Sequence, residues 1–239
     1  MIQVKNLTKK YKKPLINKRK YVDYALDNVS LNIAEGKITA ILGINGAGKS
    51  TLLKCLAGII KPNSGSIIID DKPINRFVNN HLIFVPDTET HFPGFTVGQM
   101  ISFYKDFYPS WNDEKAEDMM EFFNIKREDI IDNLSRGNIA KVKLMLAFSL
   151  DLKYILLDEP FSGIDIFKRE EFVSLIAKYM NENQSVVFTT HEISEIESIV
   201  DHVFILSDGR IVSSFDAEEM RYLEGKSILQ KLREVTLNE

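Results

Sequence analysis

Apolar and polar residues alternate over 1–8, where Ile2, Val4 and Leu7 oppose Gln3, Lys5 and Asn6, and this period of two predicts an edge strand. The same alternation over 24–33 predicts a second strand, followed by a Glu35–Gly36 turn. Strands are also expected at 37–42, 64–70 and 81–86, with a helix over 49–57 that ends at Gly58. The pattern then changes to helical spacing over 97–108, 113–124 and 137–150, an α-helical insertion in an otherwise α/β chain. Alternation of strand and helix resumes with strands at 154–158, 185–190 and 202–206 and helices at 166–180 and 193–200. A turn and short strand at 208–212 lead to a mixed-charge segment of helical spacing over 215–237.

The 239 residues are 44% apolar and 27% charged, which excludes a disordered chain. The net charge of −4 lacks the basic excess usual for nucleic-acid binders. A single cysteine, Cys55, excludes an intrachain disulfide and fits a reducing compartment. It lies on a predicted helix and reads as a small core residue. No stretch resembles a signal peptide, and no run approaches the ~18 apolar residues that span a bilayer. A membrane role is therefore expected to come through a separate partner. The basic run 9–20, with Pro14 and Asn17, reads as a solvated loop; contact with anionic lipid headgroups or a phosphate is the alternative.

Gly43–Ser50, GINGAGKS, matches G-x-x-x-x-G-K-[ST] between a predicted strand and helix. Such a loop turns backbone N–H groups toward phosphate oxygens, and the helix N-terminus adds partial positive charge. Gly43, Asn45, Gly46, Ala47, Gly48, Lys49, Ser50 and Thr51 are the candidate nucleotide contacts. Lys49 is expected to reach the β- and γ-phosphates, and the Ser50 hydroxyl to coordinate Mg²⁺. By itself the motif leaves kinase, GTPase, helicase and transporter motor open.

Residues 154–160, YILLDEP, form an apolar strand that ends in two acids at a sheet edge where ligands of doubly wound folds bind. Asp158 suits a Mg²⁺ contact. Glu159, pointing the other way, suits a general base for the attacking water.

Leu134-Ser135-Arg136-Gly137-Asn138 opens the predicted helix before this strand. Together with the P-loop and LLDEP it resembles the ATP-binding subunit of ABC transporters, whose signature is most often LSGGQ. Leu134, Ser135 and Gly137 match, whereas Arg136 and Asn138 depart from it. SGID at 162–165 is similar to the D-loop, with Asp165 at a dimer interface, and His191 stands at the switch-histidine position. The resemblance runs from about residue 2 to 212 of the sequence.

The resemblance implies a P-loop NTPase fold: a RecA-like mixed sheet with flanking helices, an antiparallel β subdomain and an inserted α-helical subdomain. Residues 1–86 and 151–212 would form the core, 88–150 the helical signature subdomain and 213–239 a C-terminal appendage. It also implies an ATPase using ATP and Mg²⁺ in a head-to-tail dimer with a second ATP-binding subunit, homo- or heterodimeric. Leu134, Ser135 and Gly137 of one subunit would face the γ-phosphate held by the other.

The motor would sit at the cytoplasmic face of the membrane, on a separately encoded transmembrane permease. With LSRGN, an acid at position 87 and FYPSW in the helical lobe, the sequence is similar in style to YtrB-type exporter cassettes of Gram-positive bacteria, some of which move antimicrobial or amphipathic peptides. The family stacks an aromatic residue on adenine after the first strand, which selects Tyr11, with Tyr21 and Tyr24 as rivals. Asp87 stands where the family carries Gln and is a candidate Mg²⁺ ligand.

A soluble ABC-type ATPase acting on ribosomes or DNA is the alternative; its known forms carry two cassettes or a long coiled coil. A P-loop kinase or GTPase leaves LSRGN, SGID and His191 unexplained. Nine aromatic residues crowd 88–125, and Phe92, Phe95 and Trp111 are expected to dock the permease unless they fill the lobe's own core.

Overall fold

The computed structural model describes residues 1–12, 22–75, 78–161, 166–191, 193 and 197–237. Its strands are β1 (Ile2–Lys12), β2 (Val22–Ile33), β3 (Ile38–Leu42), β4 (Ser64–Ile69), β5 (Lys72–Pro73), β6 (Leu82–Val85), β7 (Tyr154–Asp158), β8 (Ser185–Thr190), β9 (His202–Ser207) and β10 (Arg210–Asp216). The α-helices are α1 (Lys49–Leu56), α2 (Val97–Phe107), α3 (Asp113–Phe123), α4 (Arg136–Phe148), α5 (Ile166–Tyr179), α6 (Ala217–Glu224) and α7 (Ile228–Leu237). The first two strands, β4 and β5 make an antiparallel sheet in the order β2-β1-β4-β5. The others make a six-stranded sheet in the order β10-β9-β3-β8-β7-β6, parallel except for β10.

The parallel sheet is covered on both faces, and its strands are accordingly near-continuous apolar runs. Strand period divides each run between two cores. On one face, Ala40 and Leu42 of β3, Ile155 and Leu157 of β7 and Phe188 of β8 pack with Met100, Met119 and Phe148 from α2, α3 and α4. On the other, Ile41, Leu156 and Val187 pack with Leu52 and Leu56 of α1 and with Ile2, Leu7 and Leu26 of the antiparallel sheet. The P-loop helix is thus clamped between the sheets. The helical lobe shares one continuous core with the parallel sheet. Cys55 is buried in the α1 core, which pushes its thiol up to about 11.

The β1 strand is not at an edge. Ile2 pairs with Ile33 on one side and Ile69 on the other. Local alternation cannot reveal a neighbour that arrives from β4, far along the chain. A bulge between Val4 and Leu7, with Asn6 at φ 51°, restores Leu7 to the buried face that a strict period of two would deny it.

Residues 9–12, expected in a loop, continue β1 and pair with β2, as in Lys10 opposite Tyr24. The rest of the basic run, from 13 to 20, lies outside the described residues. Within the expected helix 193–200, only a 3₁₀ turn at Glu197–Ile199 is described. The C-terminal segment begins later than expected, because β10 extends to Asp216 before that residue caps α6.

Candidate nucleotide site

The chain leaves β3 at Leu42, turns through 43–48 and enters α1 at Lys49. Gly48 adopts φ 106°, and a Cβ there would sit 2.1 Å from the Ala25 carbonyl oxygen. Only glycine fits that approach. Ile44, Asn45 and Gly46 are exposed at the loop's tip, Ala47 is buried, and Thr51 is half-buried beyond Ser50. Lys49 is only 5% exposed. Its ammonium donates to the Gly43 carbonyl at 2.7 Å and the Ile44 carbonyl at 3.2 Å, and pairs with Glu159 Oε1 at 3.0 Å.

Strand β7 delivers both acids to the same place. Asp158, also 5% exposed, accepts from Ser50 Oγ at 2.9 Å and from Thr189 Oγ1 at 2.8 Å. Glu159 leaves the strand at φ 46°, a left-handed conformation that costs a non-glycine residue about 1–3 kcal/mol. Its N–H is held by Thr189, at 3.0 Å from the hydroxyl and 3.1 Å from the carbonyl oxygen. Its carboxylate therefore turns away from Asp158, with Oε1 toward Lys49 and Oε2 at 2.9 Å from His191 Nδ1. Lys49, Ser50, Asp158, Glu159 and His191, singled out from separate stretches of sequence, meet at one sheet edge. The buried Thr189 hydroxyl was not singled out; its signal was the Thr189–Thr190 pair that ends the apolar run Val186–Phe188.

Ser135 is the N-cap of α4 and its hydroxyl accepts from the Asn138 N–H at 3.3 Å. Gly137 is buried in the first turn, and Leu134 packs half-buried on the lobe core. Arg136, Asp87, Asp158 and Glu159 all line one cavity of about 330 Å³ between α4 and the end of β6. Lys143, which sequence reasoning passed over, lines it too.

Asp87 itself is exposed, and no cluster of three or more His, Cys, Asp or Glu groups suited to a metal ion occurs among the described residues. Tyr11 and Tyr24 are both exposed on adjacent strands, with Lys9 Nζ 5.4 Å and Lys10 Nζ 4.5 Å from their respective ring centroids. Asp165 and Tyr21 lie outside the described residues.

A family model described as ABC transporter matches residues 26–162, the stretch that holds the P-loop lysine and the two strand-end acids of this edge. The chain belongs to the ABC transporter family. It is an ATP-binding and ATP-hydrolysing cassette, of the kind that dimerises and works with a membrane permease.

The cassette is 30% identical to the ABC transporter ATP-binding protein YtrB of Bacillus subtilis over 199 residues, covering 82% of this chain and 68% of that protein. It is 29% identical to the lipopolysaccharide export system ATP-binding protein LptB of Haemophilus influenzae, with 92% of each chain covered. It is 34% identical to the retinal-specific phospholipid-transporting ATPase ABCA4 of Mus musculus over 80% of this chain, but spans only 8% of that protein. Its backbone resembles the dimeric structure of MJ0796, a bacterial ABC transporter cassette, with a TM-score of 0.79 and 25% identity over 91% of this chain and 99% of the other.

Proposed function

We propose that the cassette hydrolyses Mg²⁺-bound ATP at the Lys49–Glu159–His191 edge and that two cassettes, alike or different, close head to tail around two ATP molecules. The observation that carries this reading is the Glu159 carboxylate held between Lys49 and His191. A triphosphate offers Lys49 more negative charge than one carboxylate does, so ATP would take over the ammonium and leave Glu159 to a water molecule. That water attacks the γ-phosphorus in line. Its proton passes to Glu159, and the bond to the β-phosphate oxygen breaks to release ADP. His191 orients Glu159 and can donate to the γ-phosphate. Backbone N–H groups of 43–51 cradle the phosphates.

Ser50 Oγ and Asp158 Oδ1, hard oxygens already 2.9 Å apart, are a fitting pair for Mg²⁺. The ion would supply charge against the phosphates. Asp87, in the same cavity, is a third candidate ligand. Leu134, Ser135 and Gly137 would meet the partner's nucleotide, and Asp165 the partner's surface. Tyr11 is the preferred adenine platform.

In this reading residues 1–86 and 151–212 act as the nucleotide core, 88–150 as the signature subdomain and 213–239 as an appendage. In the same reading a separately encoded permease would hold the cassette at the cytoplasmic face of the membrane. No helix among the described residues is long and apolar enough to cross one. The export reading is supported by similarity to a lipopolysaccharide export ATPase. An antimicrobial or amphipathic peptide cargo is the reading that the YtrB-type resemblance supports.

Exposed aromatic rings support docking at the lobe. Phe92 is 42% and Phe107 65% exposed, and both rings touch Phe103. Phe95 and Trp111, named with Phe92 as docking residues, pack half-buried on the lobe core, with the Phe95 ring 5.0 Å from that of Phe92.

The test is the Glu159→Gln protein with ATP, followed by light scattering. A stable ATP-dependent dimer is expected. A monomer that releases phosphate at the wild-type rate would overturn the proposal.

A further inference from the structure

Lys143 stands where helical spacing calls for an apolar residue. It lies four positions after Ile139 and four before Ala147, both buried, so its stem shares the inward side of α4. The ammonium reaches three successive carbonyls just past β6. It donates to Pro86, to Thr88 at 3.1 Å and to Asp87 at 3.3 Å. An ammonium carries three donors, and this arc of backbone offers three acceptors. Burial pushes the group's pKa down, while the Asp87, Glu89 and Asp158 carboxylates oppose that shift.

The two ends of this contact matter for the reaction. Helix α4 starts with the signature, and Asp87 is the acid that replaces the family's Gln. Both line the cavity that holds Glu159. We infer that Lys143 is a positioning residue, whose ammonium ties the 86–88 backbone to the signature helix so that Asp87 and the signature shift together against the Glu159 site. A solvated surface lysine would have no such effect, because its donors would exchange freely with water. The inference rests on the nucleotide reading above, and the readouts below separate the two.

Lys143→Met keeps the apolar stem and removes every donor, whereas Lys143→Arg keeps charge and donors. Three quantities are measured: equilibrium ATP affinity, kcat with KM, and backbone amide exchange over 87–92. For Lys143→Met, ATP affinity should stay within about twofold while kcat falls about ten- to a hundredfold, the scale of a small misplacement near reacting groups. Amide exchange over 87–92 should quicken about tenfold or more, as local opening becomes easier. Lys143→Arg should recover most of both losses.

Wild-type kcat and exchange in Lys143→Met would overturn the tether, as would equal loss of ATP affinity and kcat. Wild-type protein that fails to bind ATP would overturn the nucleotide reading, and exchange would still decide the tether. Should Lys143→Met not fold, nitrogen-15 spectra of the wild-type protein decide: the Lys143 ammonium protons should exchange slowly at neutral pH. Exchange as fast as that of a solvated lysine would overturn the proposal.

Discussion

Lys49 and Glu159 are ion-paired at 3.0 Å, and the second oxygen of the same carboxylate lies 2.9 Å from His191 Nδ1. One side chain from the end of β7 thus joins the P-loop helix to the end of β8. In the proposed mechanism the pair ties nucleotide binding to hydrolysis, because the phosphates and the base would compete for one ammonium. Lys49→Ala should weaken ATP binding by about 2–5 kcal/mol, the usual cost of removing one partner of a buried charge contact. Isothermal titration with ATP checks this. Unchanged affinity would remove Lys49 from the site.

Thr189 positions both acids, donating to Asp158 and accepting from the Glu159 N–H. Thr189→Val keeps the shape and removes the hydroxyl. Two hydrogen bonds are lost in a buried place, so unfolding free energy should drop by about 1–3 kcal/mol. The kinetic signature should be a lower kcat at nearly constant ATP affinity, restored by Thr189→Ser. A loss confined to thermal stability, with kcat intact, would reduce Thr189 to a packing role.

Gly48→Ala puts a Cβ 2.1 Å from the Ala25 carbonyl oxygen and asks alanine to hold φ 106°. The backbone alone costs about 1–3 kcal/mol. Relief requires the loop to withdraw from β2, which spoils the phosphate cradle. The variant should therefore lose both melting temperature and ATP affinity. Wild-type values of both would show that the loop can relax freely.

The aromatic rings of the lobe divide by exposure. Replacing Phe92 and Phe107 with Ser should leave folding and ATP binding intact and abolish copurification with the membrane permease. Phe95→Ser should instead destabilise the lobe, because that ring packs on its core. Retained copurification of the first variant would move the docking surface elsewhere.

Much of this was legible in sequence because the signals are local. The strand-loop-helix around Gly43–Ser50 and the apolar strand ending in Asp158 and Glu159 are each set by a few adjacent residues. What was not legible depends on residues far apart in the chain. The central place of β1 depends on β4 pairing beside it, and the inward return of Leu7 on a bulge at Asn6. The contacts of Lys143 depend on the fold laying 86–88 across it, which nothing in its local sequence indicates. That Phe92 stays exposed while Phe95, its ring 5.0 Å away, packs half-buried depends on how the loop before α2 folds over the lobe core.

Single-turnover hydrolysis of ATP by wild-type and Glu159→Gln protein, with ATP affinity measured on the same samples, tests the role of Glu159 most directly. A general base contributes about 10²–10⁴ in rate, so Glu159→Gln should bind ATP at least as tightly as wild type while cleaving it slower by about that factor. Cleavage at the wild-type rate with ATP bound would contradict the assignment of Glu159 as the base.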